Sequence, residues 1–384
     1  LATGGDDGTV RLWSPNSDTN AWREVHLLRV LDSLVQCAVF SASGSLLATG
    51  STDSTVRMWA PSPDTPGCAD AWREVQVLRG HSESVCCAAF SSSSSFLATG
   101  GYDRTVRLWH ASPDTDAWWQ EVQLLRGHDG HVQCAAFSPS CALLATGSDD
   151  LTVRIWAPDP ETGAWREAQV LGGHDGLVLC TAFSPSGTLL ATGGDDGTVR
   201  LWSPNSDTNA WREVHLLRVL DSLVQCAVFS ASGSLLATGS TDSTVRMWAP
   251  SPDTPGCADA WREVQVLRGH SESVCCAAFS SSSSFLATGG YDRTVRLWHA
   301  SPDTDAWWQE VQLLRGHDGH VQCAAFSPSC ALLATGSDDL TVRIWAPDPE
   351  TGAWREAQVL GGHDGLVLCT AFSPSGTLLA TGGD

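Results

Sequence analysis

The sequence contains no lysine: all 22 basic residues are arginine, against 43 acidic ones, for a formal net charge of −21. So acidic a surface repels phosphate backbones and anionic bilayers, which removes nucleic acid and membranes from the expected partners. Long apolar runs are missing too, since nothing approaches the roughly 20 residues that a bilayer-crossing helix needs. The 14 cysteines include no Cys-x-x-Cys pair, and no leader-like segment opens the chain, so a reducing, cytoplasmic setting is expected. Because Leu1-Ala2-Thr3-Gly4 begins inside a repeat unit, the chain reads as a fragment or an engineered sequence. Neither a Gly-x-Ser-x-Gly elbow nor the Asp-x-Asp-x-Asp-Gly spacing of a calcium loop occurs. No catalytic residue, metal or cofactor is therefore expected.

What the sequence does have is self-similarity. Val-Arg-x-Trp recurs with its tryptophan at Trp13, Trp59, Trp109, Trp156, Trp202, Trp248, Trp298 and Trp345. Residues 190–384 repeat residues 1–195 letter for letter, which divides one domain into identical halves, 1–189 and 190–378, and leaves 379–384 as a further copy of 1–6. Drift erases such identity, so recent or deliberate duplication is expected. Each unit shows four short β-patterned segments separated by turn residues, for example Val132–Phe137, Leu143–Gly147, Thr152–Trp156 and Glu167–Leu171. A four-stranded sheet of this size hides both faces only when such sheets stack radially into a closed ring. An all-β, eight-bladed propeller of four-stranded antiparallel blades follows.

With Gly-His at Gly80-His81, Gly127-His128, Gly173-His174, Gly269-His270, Gly316-His317 and Gly362-His363, the units resemble the WD-repeat family. The family's closing Trp-Asp is absent, as in Trp13-Ser14 and Trp59-Ala60. The resemblance implies a buried hydrogen-bond relay of His, Thr, Asp and Trp in each regular blade. The matching sets are His81, Thr99, Asp103, Trp109; His128, Thr146, Asp150, Trp156; and His174, Thr192, Asp196, Trp202. In the second half they are His270, Thr288, Asp292, Trp298 and His317, Thr335, Asp339, Trp345. A last set, His363 with Asp7 and Trp13, forms across the ring closure, its hydroxyl supplied by Thr3 or Thr381. A Thr, His and Asp together also suggest a hydrolytic triad, but six repetitions argue for a structural role. In two units Leu31 and Leu220 replace the histidine.

Cys37, Cys87, Cys134, Cys180 and their copies fall at one first-strand position and read as core thiols; Cys68, Cys86 and Cys141 stand apart, with Cys68 the best candidate for a reactive one. Trp22, Trp72, Trp118 with Trp119, and Trp165 open the fourth strands and are expected to cap the slots between blades. The resemblance implies a non-catalytic scaffold for a protein or peptide, and the acidity favours a basic one. Positions that vary between blades on the face of the second-to-third turns mark the candidate contacts Glu83, Tyr102, Arg104, His131, Tyr291 and Arg293. A monomer is expected, with exchange of half-rings as the alternative. An engineered symmetric ring without a cognate ligand is the competing reading.

Overall fold

A computed structural model describes residues 8–16, 19, 21–30, 33–62, 72–111, 119–219, 222–251, 260–300 and 308–382. Eight four-stranded antiparallel sheets form eight blades, and no helix occurs among the described residues. In chain order, blade I comprises Val35–Phe40, Leu47–Ser51, Thr55–Pro61 and Trp72–Arg79, and blade II comprises Val85–Phe90, Phe96–Gly101, Val106–Ala111 and Trp119–Leu125. Blade III holds Val132–Phe137, Leu144–Ser148, Val153–Pro158 and Trp165–Leu171; blade IV holds Val178–Phe183, Leu190–Gly194, Thr198–Pro204 and Trp211–Arg218. Blades V, VI and VII repeat the first three from Val224 to Leu360.

Blade VIII joins the ends of the chain. Its strands are Cys369–Phe372, Leu379–Gly382, Thr9–Pro15 and Trp22–Arg29, in that spatial order. The second-strand slot is filled by the C-terminal copy, with Leu379 opposite Trp13 and Gly382 opposite Val10. Residues 1–6, the other copy, lie outside the described residues. The first strand of blade VIII begins at Cys369, two residues later than the position at which the counterpart Val178 opens blade IV, and the Val367 amide donates to Ser337 O of blade VII, 3.0 Å away.

The fourth strands open at their tryptophans, two residues ahead of the alternating Glu167–Leu171 segment in blade III. Trp165 already pairs with Pro158, and a bulge at Ile155/Trp156 accommodates the extra residue while sharpening the local twist. Alternation explains the packing: in Val153-Arg154-Ile155, valine and isoleucine are buried and arginine is half-buried. The buried sets then meet across blades. Ala48, Val56, Met58 and Leu78 of blade I pack on Val85, Leu97, Trp109 and Trp119 of blade II, and the same pattern closes the ring through Val10, Leu12 and Leu28 against Val35, Leu47, Trp59 and Trp72. The core is therefore eight inter-blade slots, and no blade has a core of its own.

The fourth-strand tryptophans seal those slots. Trp22, Trp72, Trp119 and Trp165 are buried, and each meets the last phenylalanine of its own blade's first strand edge-on, as in Phe137–Trp165 with centroids 6.0 Å apart. Trp118 lies outside the described residues. The first-strand thiols also join blades: Cys134 Sγ lies 3.8 Å from Val178 O of blade IV, and burial pushes the Cys134 and Cys226 thiols up to about 12.

Candidate functional site

Two polar systems need to be told apart, one inside the blades and one on the face above them. Inside blade II, the Trp109 indole donates to Thr99 Oγ at 3.0 Å, Thr99 Oγ lies 2.9 Å from His81 Nε2, and His81 Nδ1 lies 2.9 Å from Asp103 Oδ2. A carboxylate only accepts, so the Nδ1 proton points to Asp103 and Nε2 accepts from the threonine hydroxyl. Asp103 also accepts from the Thr105 hydroxyl and the Ser82 amide. Burial pushes the Asp103 carboxyl up, but these bonds and the nearby imidazole outweigh it and hold the acid well below its ordinary range. Corresponding bonds join Trp156, Thr146, His128 and Asp150; Trp202, Thr192, His174 and Asp196; Trp298, Thr288, His270 and Asp292; and Trp345, Thr335, His317 and Asp339.

At the closure Thr381 supplies the hydroxyl. It accepts from the Trp13 indole at 2.6 Å and lies 2.9 Å from His363 Nε2. Asp7 lies outside the described residues. Where the histidine is replaced, arginine compensates: Arg57 Nη2 donates to Asp53 at 3.0 Å and Arg246 Nη2 to Asp242 at 2.7 Å, while Trp59 and Trp248 still donate to Thr49 and Thr238. The regular order Thr, His, Asp imitates a catalytic triad, yet Thr99 is 0% exposed and its oxygen is already held by the Trp109 indole. No substrate carbonyl reaches that atom.

The second system sits where each second-to-third turn meets the connection entering the same blade. Backbone bonds tie the two together throughout: Tyr102 N to Ser84 O, Asp149 N to His131 O and Asp195 N to Leu177 O. The approach is close enough that a Cβ at Gly130 would stand 2.5 Å from the Asp150 amide nitrogen, so that position needs glycine. Onto this frame the sequence sets different side chains in different blades. At the seam of blades II and III the Tyr102 ring stacks on the His131 imidazole, with centroids 4.3 Å apart and planes 18° off parallel. His131 Nδ1 is 3.2 Å from Asp149 Oδ2, and Gln133 Nε2 donates to Asp149 Oδ1 at 3.0 Å. The neighbouring Cys86 thiol donates to Val132 O at 2.8 Å. Burial, with Cys86 and Asp149 close by, pushes the Tyr102 phenol above its ordinary value.

Arg104 and Glu83 flank this stack as exposed residues. Arg104 holds a left-handed φ of 63° at the turn. Seam VI and VII repeats the arrangement, with Tyr291 on His320 at 4.3 Å and His320 Nδ1 3.0 Å from Asp338, and with Arg293 at a φ of 64°. All six sequence-predicted contacts thus lie on one face, and Tyr102 and His131 touch. Asp149, which also varies between blades and is expected on this face from the sequence, contacts the imidazole, and Gln133, which bonds Asp149, is the partner that the sequence does not point to.

Of the odd thiols, Cys141 lies 2.9 Å from Ser92 Oγ on the opposite face; burial pushes it up, but bonds from Ser92 and Ser93 bring it below the ordinary thiol range. Cys68 lies outside the described residues. No group of three or more metal-ligating side chains occurs among the described residues. Among them, too, no helix is long and apolar enough to cross a membrane.

The family model described as "WD domain, G-beta repeat" matches residues 1–14, 25–60, 72–110, 119–157, 165–203, 214–249, 261–299, 308–346 and 354–384. No curated protein matches the chain.

Proposed function

Since the chain belongs to the WD-repeat family, whose propellers serve in general as non-catalytic interaction scaffolds, we propose that it binds a basic peptide segment on the face carrying Tyr102 and Tyr291. The stacked Tyr102–His131 pair backed by Asp149 carries the reading. An aromatic ring held rigid by its neighbours offers contact area at little entropic cost. The surroundings are acidic: Glu83, Asp129 and Asp175 are exposed and Asp149 and Asp195 half-buried, against the exposed Arg104 and the fourth-strand-end arginines Arg79 and Arg126.

The test is selection of dodecapeptides from a random display library on the immobilised ring. Arginine- and lysine-rich winners are expected, with affinity falling as salt rises and dropping at least about tenfold for the Tyr102→Ala/Tyr291→Ala protein. Winners without basic residues, or winners that ignore both substitutions, would remove this face from consideration.

A second reading is favoured by the identity of residues 1–195 and 190–384: a deliberately duplicated ring with no cognate ligand. It predicts that the selection returns no peptide that competes at this face.

A further inference from the structure

Nothing in the proposed peptide reading requires more than one binding site, but the ring carries two. The Tyr102, His131, Asp149 and Gln133 cluster spans seam II and III, and Tyr291, His320, Asp338 and Gln322 span seam VI and VII. These seams are four blades apart in a ring of eight, so they face one another across the central axis. Both clusters hang from second-to-third turns, which the blade topology places on the same side of the ring.

From this placement, and resting on the basic-peptide reading above, we infer that the ring is a bivalent receptor whose partner is a twofold-symmetric dimer presenting one basic segment per subunit. The charge pattern fits such a partner. Each half of the ring sets Glu83, Asp129 and Asp175, or their copies Glu272, Asp318 and Asp364, around its stacked pair, so two equal positive segments are matched and a single one leaves half of the field unmet. The chemistry of the residues between the sites agrees. At the same turn position blades I and V carry Thr52 and Thr241 in place of tyrosine, so the aromatic anchor occurs at two places and not as a continuous band. A twofold partner engages both anchors with one heterotypic set of contacts used twice.

The spacing sets the scale of the effect. Sheets packed about 10 Å apart around eight positions give a ring roughly 25 Å across at that level. A flexible linker of about 20 residues has a matching root-mean-square span. When one molecule reaches both sites, avidity exceeds single-site affinity by about 10²- to 10⁴-fold, and it disappears when the linker cannot span them.

The experiment uses the full chain and the tightest basic dodecapeptide from the selection, alone and as a tandem dimer joined by Gly/Ser linkers of about 5, 20 and 40 residues. Titration calorimetry is expected to give two equivalent sites for the single peptide. The tandem peptide with the middle linker is expected to bind at least about 100-fold more tightly, with a smaller gain for the shortest. Tyr102→Ala alone should reduce the stoichiometry to one and bring the tandem peptide back to single-peptide affinity. Asp149→Asn, which keeps the side-chain shape and removes its charge, should weaken one site without affecting the other. A single site per ring, or two sites with no tandem gain at any linker length, overturns the bivalent inference while the peptide reading survives. If no basic peptide binds at all, the peptide reading falls and takes the inference with it.

Discussion

Thr99 has one oxygen and serves two buried neighbours, accepting from the Trp109 indole and donating to His81. Thr99→Val keeps the shape and strands both, at about 1–3 kcal/mol for each unsatisfied group. The equivalent Thr49→Val strands the Trp59 indole alone, since Leu31 stands where a histidine would be. Urea denaturation should therefore show the larger loss for Thr99→Val, with unchanged m; equal losses would contradict the relay. The acids beneath the relay set its pH response. Asp103, Asp150, Asp292 and Asp339 are held below their ordinary value of 3.8 against the push of burial, by bonds from histidine and threonine. Their contribution is complete above about pH 4 and is lost as pH falls further. His174 is held below 6.5 by burial, with Asp196 opposing, so the unfolded chain takes up a proton that the fold refuses, and that loss begins near pH 6.5. Thermal melts should be highest above about pH 7 and decline in two acid stages, and Asp103→Asn should reduce only the lower one.

At the scale of strands, neighbouring blades are stitched at the rim by a device that the repeat pattern did not disclose. Gln169 Nε2 donates to Trp211 O at 2.6 Å and its Oε1 accepts the Trp211 amide at 2.7 Å, and Gln76, Gln265, Gln312 and Gln358 hold Trp119, Trp308, Trp354 and Trp22 in the same way. Replacing Gln169 with leucine leaves that amide without its acceptor, at about 1–3 kcal/mol, and hydrogen exchange at Trp211 should accelerate more than at Trp165. Equal exchange at the two amides would show that the glutamine holds nothing. Trp165→Ala, which empties the capped slot, should cost about 3–5 kcal/mol. The tryptophan caps were legible because one occurs per repeat before an alternating segment. The glutamine clamps were not, since a polar residue on an outer strand has the same pattern whether it meets water or a backbone 42 residues away. The same holds for Arg154 and Glu167, paired across adjacent strands, and for Tyr102 and His131, which variation between blades singled out without showing that they stack.

The whole ring depends on a single slot that two identical segments of the chain can fill. Leu379–Gly382 occupies it, pairing with Thr9–Pro15 on one side and Cys369–Phe372 on the other. Residues 1–6 carry the same letters as 379–384, and their spacing from Thr9 equals that of Leu190 from Thr198, where a short turn joins the second and third strands of blade IV. A chain lacking 379–384 therefore still has a covalently attached hexapeptide that refills the slot through an ordinary hairpin, and its local loop is entropically cheap to close. Deleting either copy alone should shift the urea midpoint by no more than about 1 kcal/mol equivalent. Deleting both exposes the faces of blades VII and I around an empty strand position and removes the threonine that holds Trp13. Burial of one leucine is worth about 1.5–3 kcal/mol, and the lost ladder and relay add to it, so the double deletion should cost at least about 3 kcal/mol. If removing 379–384 alone were as damaging as removing both, the two copies would not be interchangeable, and closure would depend on the order in which the chain enters the ring.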